Sequence, residues 1–171
     1  MMIDSYLVEI NLQAVLKGLL LLAAANSAPV LAKKFFGQSL TYPLDGGFAF
    51  IDGRPIFGPS KTIRGLVFAA AASALCAVAL GFAWTTGLLM GLAAMAGDLI
   101  SSFIKRRMGL PPSSMALGLD QIPESLLPAL VSTNLMALTA GDVVLVVVLF
   151  FVGELVLSRL LFRVHLRDQP Y

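Results

Sequence analysis

The sequence is poor in charge, because Asp, Glu, Lys and Arg make up only 13% of its 171 residues. In a soluble domain about a quarter of the residues are charged, so this composition excludes a soluble domain. The chain also has a single cysteine, Cys76, which excludes an internal disulfide, and a single histidine, His165. We interpret Cys76 as a small core residue and His165 as a surface residue of a basic tail. We expect no nucleic-acid partner.

The sequence is instead rich in long apolar segments, and 58% of its residues are hydrophobic. Residues 65–97 form a run of 33 uncharged residues. As one helix this run would be about 50 Å long, too long for a hydrocarbon core of about 30 Å. The stretch "GFAWTTG" at 81–87 therefore predicts a turn. The N-terminus carries acids and no basic segment, which indicates the start of a helix and not a signal peptide.

These patterns predict an all-α polytopic membrane protein with one domain over residues 1–171. We expect a bundle of five transmembrane helices with two polar loops between them. The predicted spans cover about 6–31, 65–81, 84–104, 122–139 and 143–162.

The basic residues predict the orientation of this bundle. Eleven of the twelve lie in three regions, namely 33–64, 105–120 and the end of the fifth span with its tail, which five spans place on one face. The other face carries only Lys17. Because basic residues favour the cytoplasmic side, we expect loops 33–64 and 105–120 and the C-terminus in the cytoplasm, and the N-terminus outside.

Asp98, in "GDLISSFIKRR", is the first candidate functional residue. It lies seven residues before Lys105, about 10 Å below the membrane surface at 1.5 Å per residue. Ser101 or Ser102 and then Lys105 follow on the same helix face. An ionisable residue at such depth is typical of a functional cavity. The alternative is a structural ion pair between Asp98 and a base of the next helical turn.

A second acidic group begins the predicted fourth span, in "LDQIPESLLPALV". Asp120 or Gln121 could cap this helix, and Glu124 follows Asp120 at i+4, pointing to the same mouth. Asp98 and Asp120 are therefore expected at a similar membrane level, beside several cations. Mg²⁺ binds one or two carboxylates together with phosphate oxygens and water, so this arrangement favours a magnesium–phosphate site.

The loop "LDGGFAFIDGRPIFGPSKTIRG" at 44–65 supplies the cations for such a site. Lys61, Thr62 and Arg64 lie at a predicted helix N-terminus after glycine-rich backbone, a combination that favours anions. The lysine spacing and the lack of a preceding strand exclude a P-loop. A loop that only sets orientation would not need Asp45 and Asp52, which are also present.

"DGRPIFGPSKTIRG" and "GDLISSFIKRR" followed by "LDQIPE" resemble the CDP-archaeol synthase family and, more loosely, the phosphatidate cytidylyltransferases. The resemblance implies a membrane enzyme that transfers a cytidylyl group from CTP to 2,3-di-O-geranylgeranylglycerol 1-phosphate and releases pyrophosphate. It implies Mg²⁺ on Asp98 and Asp120, with Lys61 as a third catalytic residue. Residues expected to contact substrate are Asp52, Thr62, Arg64, Ser102, Lys105, Arg106, Gln121 and Glu124.

In such a reaction a lipid phosphate oxygen attacks the α-phosphorus of CTP. A phosphate monoester has a second pKa near 6, so the nucleophile is ionised at neutral pH and needs no general base. The alternative function is a small cation or phosphate transporter with Asp98 and Glu154 along its path. Its weakness is the lack of an internal repeat. Glu154 is expected either in the cavity or as a packing partner of another span.

Overall fold

A computed structural model describes residues 9–163 of the chain. This part is helical, and its only β-type pairings are two isolated bridges, Pro43 with Thr62 and Ala49 with Pro55. The helices in chain order are α1 (Leu12–Phe36), α2 (Ile63–Ala79), α3 (Trp84–Arg107), α4 (Gln121–Val131), α5 (Thr133–Met136) and α6 (Ala140–Arg163).

Three helices, α1, α3 and α6, are long and apolar enough to cross a bilayer, and α2 is a shorter apolar helix. The predicted all-helical membrane class is therefore confirmed in its general form. The predicted orientation stays a prediction, and the chain termini with His165 lie outside the described residues.

Helix α1 begins where Asn11 accepts a hydrogen bond from the backbone N–H of Ala14 at 3.0 Å. It ends at Gly37, whose φ of 53° lies in the left-handed region that favours glycine. The helix thus extends five residues beyond the predicted end at 31 and includes Lys33 and Lys34 in its last turn. Basic side chains suit this helix end because they face the negative end of the helix dipole.

Helices α2 and α3 form a hairpin whose turn falls at residues 80–83, so the predicted reversal within 81–87 occurs mostly before Trp84. Small residues let the two backbones touch. A Cβ placed on Gly87 would lie only 2.1 Å from the carbonyl oxygen of Ser73, and one on Gly91 would lie 3.0 Å from the Ser73 Cβ. Close contact through small residues is typical of helix pairs in membranes, where hydrocarbon supplies no hydrophobic drive for association.

The predicted fourth span, about 122–139, is divided in the structure. Helix α4 stops at Val131, and the short helix α5 ends at Ala137, which adopts a left-handed φ of 52°. At the break the hydroxyl of Ser132 donates to the carbonyl oxygen of Pro128 at 2.7 Å. Pro128, which lacks an N–H, lies in the last turn of α4, so both features are located where the regular helix stops.

Helix α6 is fixed to the start of α1 by Asp142. Its carboxylate accepts hydrogen bonds from the backbone N–H of Asn11 at 2.8 Å and from the backbone N–H of Thr139 at 2.9 Å. The Thr139 hydroxyl donates a third bond at 3.0 Å. Asp142 is fully buried. The contact joins the two helices at the end of the bundle opposite Asp98.

Candidate functional site

Asp98 of α3 is paired with Lys61, which comes from the loop before α2. The Lys61 Nζ lies 2.6 Å from both carboxylate oxygens, and the side chains are 23% and 24% exposed. Burial would lower the pKa of Lys61, but the charge of Asp98 and its hydrogen bonds outweigh burial and raise it. Asp98 is therefore in an ion pair, though not with a base of the next helical turn.

Further carboxylates surround this pair because α3 and α4 approach at backbone contact. A Cβ placed on Gly97 would lie 2.3 Å from the carbonyl oxygen of Pro123 and 2.7 Å from the Cα of Glu124. Glycine at position 97 thus lets the first turn of α4 lie directly beside Asp98. The charge of Lys61 interacts with Glu124 and Asp120 as well as with Asp98.

Glu124 interacts electrostatically with Glu154 of α6 as well as with Asp98 and Asp120. This places Glu154 near the same group of acids, although it comes from the last helix. The sequence left its position open between a cavity and a packing contact, and no periodicity connects helix α6 to this site.

Asp120 is paired with Lys105 of α3. The Lys105 Nζ lies 2.5 Å from one Asp120 oxygen, and the other oxygen accepts the backbone N–H of Ala116 at 2.8 Å. Asp120 makes no side-chain cap of α4. Gln121 instead accepts the backbone N–H of Gly118 at 2.8 Å, so both side chains order the loop before the helix.

Arg106 follows Lys105 in the last turn of α3 and has hydrogen-bond donors without partners within residues 9–163. It is only 4% exposed, and one of its nitrogens donates to the carbonyl oxygen of Pro111 at 2.9 Å. Its Nε and Nη1 are buried with no hydrogen-bond partner among the described residues. Ser102, one helical turn before Arg106, is also buried. A buried guanidinium with open donors is well suited to an anion.

Three of the residues predicted to contact substrate form hydrogen bonds or ion pairs within the protein instead. Thr62 caps α2 by accepting the backbone N–H of Gly65 at 3.1 Å. Arg64 is buried and donates to the carbonyl oxygens of Gly37 at 3.0 Å and Ser39 at 2.5 Å. These bonds tie the end of α1 to the start of α2.

Asp52 is the third, and it pairs with Arg107 at the end of α3. The Arg107 guanidinium also lies over the rings of Phe50 at 4.8 Å and Phe103 at 5.0 Å. This contact fastens the loop to α3. No local pattern predicts this pair, because the partners are 55 positions apart.

The donor set suits a magnesium ion only when other ligands complete the shell. No three His, Cys, Asp or Glu side chains among residues 9–163 converge as metal ligands. Asp98, Asp120 and Glu124 nevertheless supply hard oxygen atoms that interact with the ammonium group of Lys61, and Glu154 interacts with Glu124. Mg²⁺ takes few protein carboxylates and fills its octahedron with phosphate oxygens and water. The residues fit an ion that arrives with a phosphate substrate.

Comparison with known proteins shows the family to which the chain belongs. Residues 10–171 match the model of the CarS-like CDP-archaeol synthases. The chain belongs to the CDP-archaeol synthase family. The predicted resemblance is thereby confirmed.

Relatives within the CDP-archaeol synthase family extend the match. The CDP-archaeol synthase of Hyperthermus butylicus is 43% identical over 108 residues, covering 58% of this chain and 60% of the relative. That of Pyrococcus furiosus is 42% identical and is likewise covered over 60% of its length. The chain thus aligns with three fifths of each. The CDP-archaeol synthase of Pyrobaculum calidifontis is 33% identical over 86% of this chain and 90% of the relative.

A solved structure agrees with this assignment. It is described as an intramembrane enzyme for archaeal membrane lipid biosynthesis, and it superposes with a TM-score of 0.68 at 30% identity. The superposition covers 84% of this chain and 91% of that chain. These relatives support the prediction of a membrane nucleotidyltransferase and do not favour the transporter alternative.

Proposed function

We propose that the protein transfers the cytidylyl group of CTP to the phosphate of a prenylated glycerol phosphate lipid. The acceptor is 2,3-di-O-geranylgeranylglycerol 1-phosphate, and the products are a CDP-activated lipid and pyrophosphate. The observation that carries this proposal is the Lys61–Asp98 pair, whose ammonium group also interacts with Glu124 and with Asp120, the partner of Lys105. Family membership supports the same reaction.

In this reaction an oxygen of the lipid phosphate forms a bond to the α-phosphorus of CTP, and the bond from that phosphorus to the β-phosphate oxygen breaks. Pyrophosphate leaves with the electron pair of the broken bond. The attacking oxygen is already ionised near neutral pH, so no side chain has to remove a proton. The protein therefore contributes positioning and charge neutralisation.

Each cation of the site has a distinct task. Lys61 exchanges part of its contact with Asp98 for a phosphate oxygen, and Arg106 offers its open buried donors to the departing pyrophosphate. Lys105 holds Asp120 in place. Mg²⁺, held by Asp98 and Asp120, would neutralise phosphate charge when bound.

The proposed location of the reaction is the cytoplasmic face of the cell membrane. A site at the end of α3 lets a water-soluble nucleotide enter from one side while the lipid stays in the bilayer. The predicted orientation from the basic residues places this end in the cytoplasm.

Purified protein in lipid nanodiscs tests the proposal with CTP labelled at the α-phosphate. We expect label in the lipid fraction and one pyrophosphate per labelled lipid with the geranylgeranyl acceptor and Mg²⁺. Matched reactions contain ATP in place of CTP, or a lipid alcohol without phosphate. Equal labelling of the lipid alcohol, or pyrophosphate release without a lipid product, would contradict the proposed reaction.

A further inference from the structure

The carboxylate of Asp45 binds backbone and no cation among the described residues. One oxygen accepts the N–H of Gly47 at 3.0 Å, and the other accepts the N–H groups of Phe57 and Gly58 at 2.9 Å each. Asp45 is 8% exposed. The side chain thus closes the segment from residue 45 to residue 58 on itself. Gly58 has a φ of 95°, a conformation that L side chains rarely adopt.

The backbone that Asp45 fixes is the backbone that carries Lys61. The N–H of Lys61 donates to the carbonyl oxygen of Gly58 at 3.2 Å, and its carbonyl oxygen accepts the N–H of Leu44 at 2.8 Å. Leu44 directly precedes Asp45 in the chain, and the N–H of Gly58 donates to the Asp45 carboxylate. Lys61 is therefore held on both sides by residues that Asp45 orders.

We infer that Asp45 is a positioning residue, which holds the backbone of Lys61 so that its ammonium group meets Asp98 and an incoming phosphate. This inference rests on the proposed function for the phosphate, while the Lys61–Asp98 contact is a feature of the protein alone. Asp45 thus has a different role from Asp52, the other acid of the loop, which pairs with Arg107.

The substitution Asp45→Asn would remove this positioning of Lys61 while the side chain keeps almost the same shape. The two oxygens of Asp45 accept three N–H groups, and an amide would present one of its own N–H groups to a backbone donor. The loop must then move to relieve a donor facing a donor. A displacement of about 1 Å at a positioning contact can cost on the order of 100-fold in turnover.

The first test measures Lys61 without any enzymatic assay. Protein in detergent is treated with limiting acetic anhydride, and mass spectrometry gives the acetylation of Lys61 relative to that of Lys34, an exposed residue at the end of α1. In Asp45→Asn we expect this ratio to rise several-fold, because the lysine loses its contact with Asp98. The control is Asp142→Asn, which removes a carboxylate that also binds backbone N–H groups, at the other end of the bundle. Its ratio should equal that of the unmodified protein.

The second test uses turnover of labelled CTP, with kcat and KM measured separately. We expect Asp45→Asn to lose on the order of 10- to 100-fold in kcat/KM, and Asp142→Asn to keep its value per folded molecule. A raised labelling ratio in a protein that never uses CTP would uphold the positioning of Lys61 and reject the proposed reaction. An unchanged ratio with unchanged kcat/KM would overturn the inference.

Asp45→Glu serves if the asparagine variant does not fold, since it keeps the charge and moves both oxygens by one methylene. A raised Lys61 ratio in that variant supports the inference, and an unchanged ratio overturns it. Failure of both variants to fold would assign Asp45 to stability alone and would also overturn it.

Discussion

Asp142 and Asp98 are both carboxylates within the helical bundle, but their partners differ in kind. Asp142 is fully buried, and its oxygens are satisfied by two backbone N–H groups and a hydroxyl. Asp98 keeps 24% of its side chain exposed and has one flexible ammonium group, which also interacts with Glu124 and Asp120. Burial alone therefore does not distinguish the two carboxylates. The partner of Asp98 is a flexible side chain, whereas two of the three partners of Asp142 are backbone groups, and this is the basis on which we propose a function for Asp98 alone.

The same distinction separates the two ends of the bundle. At the Asp142 end, fixed backbone donors leave the carboxylate with nothing further to bind. At the Asp98 end, several acids compete for Lys61, so a phosphate or a divalent cation can change the pairing without breaking the fold. Under the proposed function, stability and reactivity thus lie at opposite ends of the bundle.

The largest expected effect is that of Asp98→Asn. The amide keeps the shape but removes the charge that holds Lys61 and a magnesium ion, which is a loss of several kcal/mol of transition-state stabilisation, or about a thousandfold in turnover. Labelled-CTP turnover and the melting temperature in detergent are measured on the same preparation.

Asp142→Asn is the matched control, with the opposite pattern expected. It should lower the unfolding free energy by about 1–3 kcal/mol through lost hydrogen bonds and leave turnover per folded molecule unchanged. A well-folded Asp98→Asn protein with near-normal, Mg²⁺-dependent turnover would remove Asp98 from the site.

The next effect concerns Lys61. Lys61→Met keeps the length of the side chain but removes its charge, and we expect a loss on the order of 100-fold in kcat/KM for CTP, because charge-assisted contacts to phosphate are stronger than neutral ones. Lys34→Met, which removes an exposed charge from the last turn of α1, should change little. Similar small effects of both substitutions would show that Lys61 acts only through the overall charge of the loop.

A smaller effect is expected from the glycines that bring the helices together. Gly97→Ala places a Cβ 2.3 Å from the Pro123 carbonyl oxygen, and Gly87→Ala places one 2.1 Å from the Ser73 carbonyl oxygen. Each clash should cost about 1–3 kcal/mol of stability. Only Gly97→Ala should also lower turnover of the folded protein, by about tenfold, because it separates Glu124 from Asp98. Thermal unfolding and kinetics of both variants measure this, and equal turnover losses would contradict it.

The smallest effect is the acid dependence of the Asp45 contact. Burial would raise the pKa of Asp45, but hydrogen bonds from Gly58, Phe57 and Gly47 outweigh it and hold the pKa below 3.8. A depressed folded pKa gives stability that is present above the unfolded value and lost as pH falls through the folded one. The difference in melting temperature between the unmodified protein and Asp45→Asn should therefore be constant above about pH 5 and shrink below pH 3.8. A difference that persists at acid pH would show that the charge is not involved.

The amino-acid sequence was enough to predict the membrane class, the hairpin between α2 and α3, and the two segments that form the candidate site. Each of these follows from local information, because a chain in hydrocarbon must pair its backbone within a helix and hydropathy can be read along one segment. Lys61, Asp98 and Asp120 could be named individually for the same reason: each is a charge at the end of an apolar run.

Which of these charges meet depends on long-range packing and was visible only in the folded protein. Lys61 pairs with Asp98 across 37 positions, and Asp52 pairs with Arg107 across 55. The first pairing depends on the turns that Asp45 closes, and the approach of Glu124 depends on backbone contact at Gly97. The division of the predicted fourth span after Val131 was likewise visible only in the structure. Such contacts depend on the packing of segments distant in the chain, and no periodicity within one segment encodes them.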